Sequence, residues 1–179
     1  MTFFSAWTRR DLARRTAVTG LLAAANPVES ASAMAPATSP RLSAEDRLDL
    51  IDLMARYAWA FDTGSEAALA ATFTPDGKLA VSGKVLAGGG KGFGEFLANT
   101  ASMRQNNGWQ HLTDHHVFTA YDGHRCTIHS YYLMPESDPT GGNVHLRAMG
   151  YYESLCLRTA QGWRFTLRDA IRWSGKQPF

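Results

Sequence analysis

From Trp109 onward the chain is written almost wholly as strands, and this constrains its fold more than any other feature. Residues 115–121 and 124–133 are rich in aromatic and β-branched side chains and flank Asp122-Gly123, the dipeptide that two-residue hairpin turns favour. Residues 144–158 and 163–173 flank Thr159-Ala160-Gln161-Gly162 and form a second hairpin. What precedes Trp109 has helical spacing instead. Helices first and long strands afterwards describe an α+β protein: one curved antiparallel sheet with helices packed on a single face.

Ser43 begins the first helix, because Ser43-Ala44-Glu45-Asp46 fits a capping box and places acids at the positive end of the helix dipole. Leu50, Met54, Tyr57 and Phe61 recur as one apolar stripe, and Gly64 is the stop. A short helix over 67–73, a turn at Thr74-Pro75-Asp76-Gly77 and a strand over 78–86 follow. The glycine-rich run 87–96 lacks the Lys-Ser/Thr pair of a nucleotide-binding loop and follows no apolar strand directly, so it reads as a loop into a third helix over 93–103. No cofactor is implied. With Tyr121 opposite His124, Val117 faces Ile128, Thr119 faces Cys126 and His115 faces Ser130. Alternation then puts His111, Thr113 and His115 on the interior face, and Asp114, His116 and His129 on the other.

The 179 residues suit one domain with a sizeable core. Residues 1–33 stand apart from it. Thr8-Arg9-Arg10-Asp11-Leu12 precedes a short apolar run, and Ala31-Ser32-Ala33 offers the small side chains that signal peptidases accept, so this segment reads as a twin-arginine export signal leading to the periplasm or beyond. Its apolar run of about ten residues is too short for a bilayer core of about 30 Å, so no lasting membrane span is implied. Residues 34–42 are a Pro/Ser/Ala-rich linker, and 43–179 are the domain. Beyond residue 33 the chain has 14 basic and 14 acidic residues, a balance that argues against a nucleic-acid partner. The two cysteines, Cys126 and Cys156, exclude a disulfide-dense scaffold or a four-thiolate zinc site and read as core residues.

The first helix ends on a carboxylate, Asp62, where its stripe would otherwise bury hydrocarbon, and His111 is an interior candidate on the strand side. The segments "RYAWAFDTG", "QHLTDHHVF", "GYYESLCLR" and "GWRFTLRDAIRW", in this order with the helices between, resemble the SnoaL-like branch of the nuclear-transport-factor-2-like superfamily over residues 43–173. Within it the chain is most similar to the scytalone dehydratase group, which also includes bile-acid 7α-dehydratase and hexachlorocyclohexane dehydrochlorinase. The resemblance implies a cone of antiparallel strands plugged by three N-terminal helices around a ligand pocket. It also implies a catalytic Asp-His pair at Asp62 and His111, a third polar residue at Tyr57, and an arginine at Arg168. A homotrimer is implied, with a homodimer as the alternative.

These residues suit a cofactor-independent lyase, dehydratase-like, acting on a cyclic or polycyclic small molecule. A base must take the proton beside an activating group, and an acid must assist the departing hydroxyl. An imidazole whose other N–H is held by a carboxylate can be that base. Tyr57 would donate to an enolate oxygen or protonate the leaving group, and Arg168 would hold a carbonyl or a carboxylate. On an ideal helix five residues turn through about 140°, so Tyr57 and Asp62 converge if the helix ends at or before Asp62. His115, Ser130, Trp109, Tyr132 and Tyr152 are the further substrate-binding candidates; Tyr132 and Tyr152 share the alternating faces of Ser130 and Ser154. An isomerase or cyclase with the same pair, or a non-catalytic binding module, are the alternatives. The histidines at 111, 115, 116, 129 and 145 have no metal-site spacing, and no metal is expected.

Overall fold

The structure, a computed structural model, describes residues 40–88, 92–106 and 108–179. The export signal over 1–33 and most of the linker over 34–42 lie outside the described residues, as does the middle of the glycine-rich run.

Helix α1 (Ala44–Thr63) is capped as expected, with the Ser43 hydroxyl accepting the Asp46 N–H at 3.0 Å. Gly64 stops it in the left-handed conformation at φ 73°, and its N–H returns to the carbonyls of Ala60 and Phe61. Leu50, Leu53, Met54, Tyr57 and Phe61 form its buried stripe. Asp46 is buried too: it accepts the Trp163 indole N–H at 2.9 Å and pairs with Arg158, which ties the start of α1 to the last hairpin.

Helix α2 (Glu66–Ala70) stops three residues before the expected end, because Phe73 already belongs to β1 (Phe73–Val81) and is buried in the core. The strand expected over 78–86 is a hairpin of β1 and β2 (Lys84–Gly88). Ser82 and Gly83 both take positive φ, 51° and 80°, the signature of a two-residue hairpin turn. The third helix divides into α3 (Phe93–Asn99) and α4 (Ala101–Asn106) at Thr100, whose hydroxyl bonds back to the carbonyls of Phe96 and Leu97. The described residues therefore hold four helices where the sequence predicts three.

Strands β3 (Gly108–Trp109), β4 (Leu112–Thr119), β5 (Arg125–Ser137), β6 (His145–Thr159) and β7 (Gly162–Arg172) complete the fold. The curled sheet runs β2-β1-β7-β6-β5-β3, with β4 also paired to β5. All pairings are antiparallel except β1 with β7. Alternation selects the concave face: Cys126, Ile128, Ser130 and Tyr132 of β5 and Tyr152, Ser154 and Cys156 of β6 are buried. Cys126 and Cys156 are free thiols opposite one another.

The first hairpin departs from the expected register. Phe118 faces Ile128 and Thr119 faces Thr127, one residue away from the predicted partners. The Asp122 carboxylate accepts the N–H groups of His124 and Arg125 at 2.8 and 2.6 Å, which builds a wider side-chain-stapled turn. A bulge then shifts the ladder between Asp114 and Val117, so that His115 and His116 together oppose Ser130. His115 sits at φ 56°, a region histidine tolerates better than most side chains. The bulge reverses the expected faces: His115 is exposed, its ring 5.6 Å from Tyr131, while His116 turns inward and its Nδ1 is buried.

Candidate active site

Asp62 lies in the last turn of α1, at the negative end of the helix dipole, and that turn holds no basic residue. A carboxylate there is electrostatically misplaced unless other groups hold it. His111 does so twice. Its backbone N–H donates to Oδ2 at 2.9 Å, and its Nδ1 lies 2.5 Å from Oδ1. His111 stands between β3 and β4, where the ladder is interrupted and its N–H is free to turn to the helix end. The two side chains are 2% and 16% exposed, so little water screens the contact.

Aromatic rings fix the imidazole. It stacks on Phe61 at 4.6 Å and 26°, and meets the edges of Trp109 at 5.3 Å and Tyr57 at 6.5 Å. Helix α1 runs one residue past Asp62, contrary to the condition set by helical rotation. Tyr57 and Asp62 nevertheless both meet His111, because the imidazole lies across the end of the helix. With Nδ1 engaged by the carboxylate, Nε2 is the ring nitrogen left for chemistry.

Behind this pair lies Tyr57, fully buried. Burial pushes its phenol up to about 12, against the opposing charge and polar contact of Arg168 and the contact of Tyr152, so it remains a protonated donor at neutral pH. Arg168 is 0% exposed and sits on β7 opposite Ser154, to whose hydroxyl Nη1 donates at 3.0 Å. Its guanidinium lies 4.3 Å from the Tyr57 ring, 3.8 Å from Tyr152 and 4.9 Å from Phe165. These rings offset part of the desolvation of the charge.

A cavity of about 790 Å³ opens beside the pair, and His111, Thr113, Tyr132 and Gly150 line it. Three consecutive residues, Tyr131, Tyr132 and Leu133, line it, so both faces of the sheet contribute to its wall. Gly150 is needed in this wall: a Cβ there would stand 2.1 Å from the Ile171 carbonyl and 2.9 Å from the Tyr132 ring.

The structure therefore joins Asp62, His111, Tyr57 and Arg168 into one cluster. Tyr132 and His115 line the cavity, the latter from its exposed rim. Tyr152 packs 4.7 Å from Tyr132 and against Arg168, behind the lining. Trp109 abuts His111 with its indole N–H unpartnered. Ser130 is on the concave face, but its hydroxyl is turned to the Met54 sulfur at 3.6 Å. Sequence reasoning missed His116, which only the bulge turns inward, and the rim residues Leu133 and Met149; residues 114–116 hold no glycine to mark the bulge. Among the described residues no group of three or more His, Cys, Asp or Glu has a metal-binding arrangement, and no helix is long and apolar enough to cross a membrane.

No curated protein matches the sequence. Solved structures do. An NTF2-like protein with a cystatin-like fold from Novosphingobium aromaticivorans superposes with a TM-score of 0.65 at 23% identity, covering 74% of this chain and 84% of that one. A candidate aromatic-ring hydroxylase from the same organism gives 0.63 at 27% identity over 74% and 92%. A candidate scytalone dehydratase from it gives 0.60 at 15% identity over 75% and 99%. The SnoaL-like domain pattern matches residues 42–169. The chain thus belongs to the SnoaL-like family, whose domains bind small molecules and whose members include dehydratases, isomerases and cyclases.

Proposed function

We propose that the protein is a cofactor-independent, dehydratase-like lyase acting on a cyclic or polycyclic small molecule. The observation that carries this reading is the Asp62–His111 contact of 2.5 Å at the wall of a cavity large enough for such a ligand. Nε2 of His111 takes the proton from the carbon beside a carbonyl, and the electron pair moves onto the carbonyl oxygen. Asp62, accepting from Nδ1–H, stabilises the imidazolium as it forms. The Tyr57 hydroxyl donates a hydrogen bond to the enolate oxygen. The enolate then collapses, the carbon–carbon double bond forms, and the β-hydroxyl leaves as water with the proton that His111 carries. Arg168 holds an oxygen of the substrate.

The test is incubation with a panel of β-hydroxy cyclic ketones in deuterated water, read by mass spectrometry. Loss of the mass of water, abolished in His111→Ala, is the expected result. Deuterium uptake without that loss points to the isomerase or cyclase alternative; neither change in any panel member overturns the reading. The burial of Tyr57 and Arg168 behind the cavity lining favours a second reading, a binding module without catalysis. In that case Asp62→Asn leaves ligand affinity unaltered and nothing turns over. Export and assembly belong to the same proposal: mature chains recovered from the periplasm, and a trimer or dimer by light scattering, are the expected outcomes. The exposed apolar Val117, Leu133 and Met149 of the convex face suit such assembly.

A further inference from the structure

We infer that the ligand of this cavity carries a carboxylate, and that Arg168 is its anchor. The inference rests on the reading above in taking the cavity for the ligand site, and goes beyond it in naming the chemistry of one end of the ligand.

Arg168 is a cation held out of water, and among the described residues no carboxylate pairs with it. Removing a charge from water without a counter-charge is costly, and aromatic faces return only part of it. The free valences have a particular shape. Nη1 donates to Ser154 and the Tyr57 phenol makes a polar contact with the guanidinium, whereas Nε and Nη2 are buried with no hydrogen-bond partner. Those two N–H groups project in parallel from one edge of the guanidinium, the edge that receives both oxygens of a carboxylate at once. Tyr57, Tyr152 and Phe165 pack around it at 3.8 to 4.9 Å from the guanidinium carbon, and with Arg168 0% exposed a ligand reaches the fork only when neighbouring side chains move aside. A single carbonyl oxygen would satisfy one N–H well and leave the charge uncompensated. A carboxylate satisfies both and neutralises it.

The position of this anchor says more. The Tyr57 ring neighbours both anchor and base, 4.3 Å from the guanidinium and 6.5 Å from the imidazole. Engaged by the guanidinium and not by the imidazole, the carboxylate orients the substrate instead of activating it. The ligand class is a cyclic acid whose activating carbonyl and leaving group lie remote from its carboxylate. Its acid end reaches the fork by parting Tyr132, which lines the cavity, from Tyr152, 4.7 Å away.

Benzoate and benzamide differ at this one group and serve as probes in calorimetric and thermal-shift titrations at constant ionic strength. The wild type is expected to bind benzoate on the order of tenfold more tightly than benzamide. Arg168→Gln is expected to erase that preference, and Arg168→Lys, which keeps the charge but not the fork, to retain part of it. Equal affinity for acid and amide, no binding of benzoate, or a preference that survives Arg168→Gln each overturns the inference. If the glutamine variant does not fold, the wild-type comparison and the lysine variant still decide. Asp62→Asn leaves the preference intact, so the anchor stands or falls separately from the elimination chemistry.

Discussion

His111 on the concave side of the sheet and His129 on its convex side are both buried and both neighbour a carboxylate, but the two carboxylates are held differently. Asp62 is gripped at both oxygens, by the backbone and the ring of His111. Glu153 stands 4.0 Å from His129, is 38% exposed, and leaves His129 Nδ1 without a hydrogen bond. Burial lowers the His129 pKa, with Glu153 opposing, so this imidazole is neutral and packed, 4.8 Å from the Phe179 ring. Proximity of an acid to a histidine does not make a proton-transfer pair. What sets Asp62–His111 apart is two-point fixation in a dry setting beside a cavity, the geometry on which the proposed proton transfer rests.

The sharpest way to break this comparison is to truncate each imidazole. His111→Ala is expected to lower turnover about a hundred- to ten-thousandfold with the fold retained, since general-base catalysis is of that order. His129→Ala is expected to stay within about twofold in the same mass-spectrometric assay. Equal losses would dissolve the distinction. Next come the carboxylates. Asp62→Ala leaves a buried N–H and ring nitrogen unpaired and should destabilise the chain by about 1–3 kcal/mol in urea unfolding, against less than about 0.5 kcal/mol for Glu153→Gln.

The pH dependences sharpen the contrast further. Tyr57 is raised from 10.0 to about 12 on folding, so its neutral form is favoured in the native state. The stability it contributes is fully present below about pH 10 and is lost as pH rises toward 12. Tyr57→Phe should flatten that alkaline decline in equilibrium unfolding. His129 is lowered from 6.5, so its contribution is present above about pH 6.5 and fades as pH falls below it. His129→Gln should remove this smaller acid-side slope.

Part of the candidate site was legible from local rules and part from the family pattern. Ser43 and Gly64 bounded α1, helical spacing placed Tyr57 on its buried stripe, and the family pattern picked out Asp62, His111 and Arg168. The second hairpin also followed from its turn, Thr159 to Gly162. The first hairpin did not. Asp122-Gly123 promises a two-residue turn, yet the Asp122 side chain staples a wider one, and the bulge at His115 moves His116 to the interior without any glycine to announce it. Ser82-Gly83, read as strand interior, is a turn for the same reason: positive φ is tolerated there, and nothing in the periodicity of its neighbours records it.

Sequence alone determined the α+β order of elements and the buried stripe of α1, because capping, periodicity and turn chemistry act over a few neighbours along the chain, while the residues of the cluster were picked out by resemblance to the family. Tertiary structure alone decided that Asp62 is held at both oxygens, that His115 and His116 exchange faces, and that Arg168 keeps Nε and Nη2 unpartnered among three rings. Those outcomes depend on register and on which groups meet across strands, where a one-residue shift turns a side chain from solvent to core.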